Sequence, residues 1–146
     1  MIRLASRLRG LRRDQTASSA IEFGLIAPLF LALFLGVLQI GIGMQNYNAM
    51  RSISADVARF TAITYQQGTK PTDTAIESYA LDVAEAPPYG LRSGKLTIEA
   101  DTVASTQFTG AKEITLTIEY NVPSFLGFVG ISEIPLTYTR PIFVMP

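Results

Sequence analysis

The sequence predicts an α+β protein in which one long amino-terminal transmembrane helix continues as an amphipathic helix and packs on a small antiparallel sheet. Residues 23–44 carry no charge and a single side-chain amide, Gln39. Between Met50 and Phe60, apolar residues recur at three- and four-residue spacing, which indicates a helix with one buried face. After residue 95 the period changes to two, which is typical of half-buried strands.

The apolar run is long enough to cross a membrane. Its 22 residues would form a helix roughly 33 Å long, against a bilayer core of about 30 Å. Residues 1–14 contain five arginines and one aspartate, so the positive-inside rule places the amino terminus in the cytoplasm and the rest outside, in a bacterial periplasm. A cleavable signal peptide would have a shorter apolar core, of about 7–15 residues, and we expect the helix to be retained.

The helical part of the chain has recognisable ends. Gly68 and Pro71 are expected to end the long helix, which runs roughly from residue 20 to residue 66. Thr74 and Glu77 have the spacing of a capping box at the start of a second, short helix. We therefore divide the chain into a basic cytoplasmic leader (1–17), a transmembrane helix (18–44), its amphipathic continuation (45–67) and an extracytoplasmic α+β domain (68–146).

Three strands are expected in the carboxy-terminal domain. Apolar and polar residues alternate near 96–101 and near 113–120, and a turn around Gly110 would join these two strands as an antiparallel hairpin. A third strand, at about 135–144, contains two prolines. Because proline cannot donate a hydrogen bond to a neighbouring strand, this strand is predicted at the edge of the sheet.

Composition argues against an enzyme. The chain has no cysteine and no histidine, which removes thiol nucleophiles, disulfides and the commonest general base and metal ligand. The pairs Glu99/Asp101 and Asp82/Glu85 are interpreted as solvated faces, because no partner of another chemistry accompanies them. We expect no catalytic residue, no metal and no cofactor. The folded part is net acidic, which argues against a nucleic-acid partner.

The segment from Pro123 to Ile131 places five large apolar residues among glycines, between the second and third strands. Such a segment either folds over the sheet as core or stays exposed as a contact surface for a partner. Core is favoured, because a small domain needs its apolar residues inside. The five residues are Phe125, Leu126, Phe128, Val129 and Ile131.

The entrance to the apolar run has two features of interest. Glu22 lies directly before it, and either stays hydrated at headgroup level as a first-turn acid or serves a functional contact. Small residues recur every four positions, which favours close helix packing in lipid, although membrane helices are rich in glycine and proline in any case. These residues are Ala20, Gly24, Pro28, Ala32 and Gly36.

The region from about residue 16 to residue 65 resembles the TadE-like pseudopilins. The likeness is carried by a basic leader, a small-residue junction, the pair Glu22–Phe23, an Ala-Pro-Leu-rich helix and an Ala/Arg-rich amphipathic segment. The resemblance implies cleavage by prepilin peptidase between Ala17 and Ser18, although Ala17 stands where the family usually has glycine. It also implies that Glu22 would pair with the new amine of Ser18 in an adjacent subunit and set the subunit stagger.

The resemblance further implies a pilin-like fold and a structural role. The expected function is that of a pseudopilin or minor pilin of a Flp-type (tight-adherence) pilus, inserted once in the bacterial inner membrane. Expected partners are membrane lipid, other pilin or pseudopilin subunits, prepilin peptidase and the pilus assembly platform. The alternative is an unprocessed single-pass anchor that presents a partner-binding domain of an assembly or secretion machine.

Overall fold

A computed structural model describes residues 15–103, 108 and 110–145, with side chains from residue 19 onward except that of Val129. The leader up to residue 14 lies outside the described residues. The chain divides into two units, one ending at Leu38 and the other beginning at Gln39. The described elements are α1 (Gln15–Gln66), α2 (Asp73–Glu85), β1 (Leu96–Val103), β2 (Lys112–Pro123) and β3 (Glu133–Val144).

Helix α1 ends where the sequence predicts. Its last residue is Gln66, and Gly68 follows with φ of +80°, a left-handed conformation that glycine adopts without steric cost. The N–H of Gly68 donates to the carbonyl of Tyr65, and that of Thr69 donates to the carbonyl of Thr64. These bonds satisfy carbonyls of the last helical turn. At the other end, α1 is described from Gln15 onward, a few residues before the expected start at roughly residue 20.

The carboxy-terminal half of α1 has the predicted buried face. Met50, Ile53 and Val57 are fully buried. Phe60, the last residue of the predicted stripe, is half-buried, and beyond it Tyr65 is buried while Ile63 is exposed. Two buried hydroxyls on this face belong to Ser54 and Thr61, and each donates to a carbonyl of its own helix, at 2.7 Å and 2.8 Å. The helix therefore buries polar side chains without leaving their hydroxyls unsatisfied.

The cap of α2 corrects the predicted capping box. Thr72, not Thr74, is the N-cap, and its hydroxyl accepts a hydrogen bond from the N–H of Ala75 at 3.2 Å. Glu77 accepts instead from the backbone N–H of Ala100, in β1, at 3.0 Å. Both threonines offer the same capping chemistry, and sequence spacing alone could not show that Glu77 would be used by the sheet.

The three strands form one antiparallel sheet in the order β1-β2-β3, as the alternating pattern predicted. Leu96 lies opposite Tyr120, and Lys112 lies opposite Val144. Gly110, with φ of +87°, lies in the β1–β2 connection, part of which is outside the described residues. The proline-containing strand β3 lies at the edge of the sheet, which confirms the argument from its missing donors.

A single core joins the sheet to both helices within the unit that begins at Gln39. One face of the sheet is buried, and Ile114, Leu116 and Ile118 of the central strand are fully excluded from solvent. The buried face of α1 and the apolar side of α2, represented by Ile76 and Ala80, belong to the same cluster. The α+β class and the small antiparallel sheet are confirmed.

Candidate functional site

The amino-terminal half of α1 exposes large apolar side chains all round the helix. Most of them have more than half of their surface accessible, whereas the surface of a water-soluble monomer rarely carries an apolar patch of this extent. Within the described residues, this is the one helix long and apolar enough to cross a membrane, which fits a single-pass membrane protein. The exposed residues are Ile21, Phe23, Leu25, Ile26, Leu29, Phe30, Leu31, Leu33, Phe34, Val37 and Leu38.

The predicted processing junction lies in the first described turns of α1. Ala17 and Ser18 belong to the helix, and their side chains are outside the described ones. Glu22 and Phe23 are both exposed, and four residues, about one helical turn, separate Ser18 from Glu22. The carboxylate is therefore accessible to a neighbouring chain. Its role in setting subunit stagger stays a prediction.

The small-residue ridge lies in the same half of the helix. Ala20, Gly24 and Pro28 are exposed, and Ala32 and Gly36 are half-buried. A Cβ atom added to either glycine would meet no other part of the chain within 4 Å, so a second helix has room to approach there. Successive members are about 40° apart around the axis, and the ridge therefore winds slowly. Its use in subunit packing stays a prediction.

Gln39 is a residue whose role the sequence did not reveal. Its side chain is only 2% exposed, and its amide makes two hydrogen bonds to the start of the loop after β2. Nε2 donates to the carbonyl of Pro123 at 3.2 Å, and Oε1 accepts from the N–H of Phe125 at 3.0 Å. The signal that could have found it is its position as the one amide in an apolar run, because an amide there needs polar partners.

We call residues Pro123–Ile131 the Gln39 loop. The expectation that its apolar residues form core is wrong for three of them, because Phe125, Phe128 and Ile131 are exposed. Leu126 is half-buried, and the side chain of Val129 lies outside the described residues. The two helices already fill the buried face of the sheet, so these side chains do not enter the core there. The alternative, an exposed apolar surface, agrees with the structure.

An open apolar groove of about 340 Å³ adjoins this region. One side of the groove is formed by α1 and the other by β3. The lining residues are Gln39, Ile40, Gly43, Met44, Tyr47 and Asn48 of α1, and Ile134 and Leu136 of β3. The ring of Tyr47 meets that of Tyr138 edge-on, with centroids 5.7 Å apart. Apolar surface therefore extends from α1 to the edge strand of the sheet.

Carboxylates of α2 cover the outer edge of β1. Besides the bond from Ala100 to Glu77, the carboxylate of Asp73 accepts from both the N–H and the hydroxyl of Thr102, at 3.3 Å and 2.7 Å. A sheet edge with unpaired N–H groups can recruit another strand, so these bonds blunt one edge. The pairs singled out from the sequence, Glu99/Asp101 and Asp82/Glu85, are exposed, in agreement with their interpretation as solvated faces.

One titratable contact links α1 to the segment after α2. The hydroxyl of Tyr89 donates to Oδ2 of Asp56 at 2.9 Å. Partial burial raises the pKa of Tyr89 above its usual value near 10, and the hydrogen bond to the Asp56 carboxylate raises it further. Both effects favour the neutral phenol.

The comparisons with known proteins agree with the position of these features. A family model described as TadE-like protein matches residues 17–59, a range that begins at the predicted junction and ends in the buried half of α1. No curated protein and no solved structure matches the chain. The family match confirms, over residues 17–59, the resemblance to TadE-like proteins found in the sequence, and this resemblance suggests an association with a Tad pilus.

Proposed function

We propose that this protein is a structural pseudopilin or minor pilin of a Flp-type pilus, inserted once in the bacterial inner membrane and processed by prepilin peptidase. The observation that supports the proposal best is that the TadE-like match covers the junction and the exposed apolar half of α1 together. The proposed orientation, with the leader in the cytoplasm and the sheet in the periplasm, rests on the arginines of residues 1–14. We propose no enzymatic step.

In the proposed mechanism, the apolar half of α1 contacts lipid first and other subunits after assembly. In the membrane, the exposed side chains of α1 contact acyl chains, and in the fibre they would exchange that contact for neighbouring helices. The ridge around Gly24 and Pro28 would let those helices approach closely, because packing drives helix association in lipid. Glu22 would pair with the amine of Ser18 in the next subunit, since two opposite charges leave water at lower cost together than alone.

The decisive experiment is the intact mass of the protein from cells with and without an active prepilin peptidase. We expect a product that begins at Ser18 in the first case and the full chain of 146 residues in the second. Ala17→Gly, which restores the usual residue of the family, should be processed at least as well. An intact amino terminus in the presence of the active peptidase would favour the unprocessed single-pass anchor instead.

Glu22→Gln tests the subunit contact separately. The substitution keeps the size of the side chain and removes its charge, so we expect lost fibre assembly with normal membrane insertion. Glu99→Gln, on the exposed face of β1, is the matched control and should assemble normally. Normal fibres from Glu22→Gln would refute the pairing role.

A further inference from the structure

We propose that the Gln39 loop is a second membrane contact, which inserts the side chains of Phe125, Phe128 and Ile131 into lipid at the outer surface of the membrane. This inference rests on the membrane insertion of residues 23–44 proposed above. It concerns the domain that begins at Gln39, which would then lie against the bilayer and not stand away from it on a helical stalk.

Gln39 determines the level of the loop along α1. Both polar atoms of its side chain bind the loop backbone, one at Pro123 and the other at Phe125. A glutamine side chain that makes two such bonds and is 2% exposed leaves the loop no freedom to slide along the helix. The first residues of the loop therefore lie beside residue 39, at the same height along the helix axis.

Residue 39 lies within the apolar run and not beyond it. Met44 is the last residue of the run, five residues further, or about 7.5 Å along the helix. Since the 22-residue run is only slightly longer than a bilayer core of about 30 Å, Gln39 would lie roughly 6 Å inside the outer edge of the hydrocarbon. An unpaired amide there would cost several kcal/mol, and the loop backbone provides its partners.

The loop backbone is suited to this position because several of its own N–H groups have partners. Its neck is closed by the N–H of Ser124, which donates to the carbonyl of Ser132 at 3.0 Å. Further N–H groups donate within the loop, from Leu126 to the hydroxyl of Ser124, from Gly130 to Gly127 and from Ile131 to Leu126. At hydrocarbon depth, irregular backbone is tolerated only where protein buries it or where it lines a water-filled cavity, so the groups beside Gln39 need these bonds, and the rest of the loop backbone belongs at the headgroup boundary.

The side chains of the loop meet the same requirement. Phe125 is 61% exposed, Phe128 64% and Ile131 45%, and no Asp, Glu, Lys or Arg occurs from residue 121 to residue 132. Burial of a large apolar side chain out of water is favourable, and that gain is forgone while these residues face water. A hydrophobic surface without charge is what the acyl–headgroup boundary accepts.

Lipid is favoured over a protein partner by continuity. Ile40 and Met44 of the apolar run are exposed in the same unit, and with Gln39 they line the groove that reaches β3. The loop surface therefore continues the helix surface that is proposed to face lipid. Tyr47, three residues beyond Met44, stands where aromatic residues mark the membrane–water interface.

The chain contains a matched control surface at the other end of the sheet. Phe143 is 41% exposed and packs edge-on against the exposed Phe108, with ring centroids 5.1 Å apart. It lies opposite Glu113, whereas the loop begins at Pro123. These positions are ten residues apart on β2, or about 34 Å at the rise of a strand, so this patch should not reach the membrane.

The test uses the absence of tryptophan from the natural chain. Full-length Phe128→Trp, Phe143→Trp and Leu33→Trp variants would each be reconstituted at one chain per lipid nanodisc, with phospholipids brominated at different acyl depths. We expect Phe128→Trp to lose most of its fluorescence to bromine near the headgroup end and to emit at shorter wavelength. Phe143→Trp should be unquenched, and Leu33→Trp should be quenched by bromine near the ends of the acyl chains, at the centre of the bilayer.

The outcomes separate this inference from the proposed function. If Leu33→Trp is quenched and Phe128→Trp is not, the helix is inserted and the loop proposal is wrong. If neither is quenched, membrane insertion and the loop contact both fail. A Phe128→Trp signal that changes only when several chains share a disc would assign the loop to a second copy of the chain and would equally overturn lipid contact.

Discussion

The two halves of α1 form one helix but differ in what surrounds their apolar side chains. Before Gln39 the large apolar residues are exposed on every side, whereas after it Met50, Ile53 and Val57 are completely buried against the sheet. An isolated helix gains little stability in water without such packing. The carboxy-terminal half is therefore stabilised by its own chain, whereas the amino-terminal half has its large apolar side chains exposed and would gain stability from lipid or neighbouring helices, as proposed above.

The comparison also shows how residue pattern relates to surroundings. The half after Gln39 has apolar residues on one stripe and charges such as Arg51 and Asp56 on others, as expected for a helix packed on one side. The half before it is apolar all round and has no charged residue between Phe23 and Arg51. A helix buried on one side needs apolar residues only along that side, whereas a helix surrounded by lipid needs them around its whole circumference.

The largest expected difference between the halves concerns folding stability. Ile53→Ala should lower the free energy of unfolding of the unit that begins at Gln39 by about 2–5 kcal/mol, because it leaves a cavity in a filled core. Ile26→Ala, in the exposed half, should leave it unchanged. Denaturation of the full chain in detergent, followed by circular dichroism, measures both. Equal decreases in the free energy of unfolding for the two variants would contradict the proposed difference in packing between the two halves.

The reverse experiment places a charge in each half. Leu33→Arg puts a cation near the middle of the apolar run, where membrane insertion becomes less favourable by about 2.5–3.5 kcal/mol. Ile63→Arg, at an exposed position of the other half, should have no such effect. The measurement is the fraction of protein that stays with membranes after alkaline extraction. Full retention of Leu33→Arg would contradict a spanning role for this segment.

Gln39 lies at the point where the two halves meet, and its substitution tests whether its hydrogen bonds hold the loop against the helix there. Gln39→Leu removes the partners of the Pro123 carbonyl and the Phe125 N–H, at an expected cost of about 1–3 kcal/mol. Hydrogen exchange at the Phe125 amide should become faster. Gln45→Leu, at an exposed amide on the same helix, is the control. Unchanged exchange in Gln39→Leu would show that these bonds do not hold the loop.

The smallest expected effect is a pH dependence confined to the packed half. The raised pKa of Tyr89 means that the folded protein keeps this proton to higher pH than the unfolded chain does. Its contribution to stability is therefore complete below pH about 10 and is lost as pH rises through the higher folded-state value. Denaturation at stepwise higher pH should show a shallower decline for Tyr89→Phe than for the natural chain. Identical declines would refute the coupling.

Much of the fold of the carboxy-terminal unit follows from local sequence pattern. The alternation around Ile98 and Leu116 predicted which residues of β1 and β2 are buried, because neighbouring strand residues face opposite sides of a sheet. The prolines of β3 predicted an edge strand, because they lack a donor. The N-cap of α2 was misassigned, because the spacing of Thr74 and Glu77 favoured Thr74, whereas Glu77 bonds to β1 and the hydroxyl of Thr72 caps the helix.

The sequence by itself determined the uncharged length of residues 23–44, the position of Glu22 directly before it, and the periods of three to four and of two that define helix and strands. These features can be read from short stretches of sequence, because the backbone geometry of a helix or a strand repeats from residue to residue. Only the tertiary structure decided that Gln39 is buried against Pro123 and Phe125, which lie 84 and 86 residues away along the chain. It also decided that Phe125 and Phe128 are exposed, because two helices had already filled the sheet face where these rings would otherwise pack.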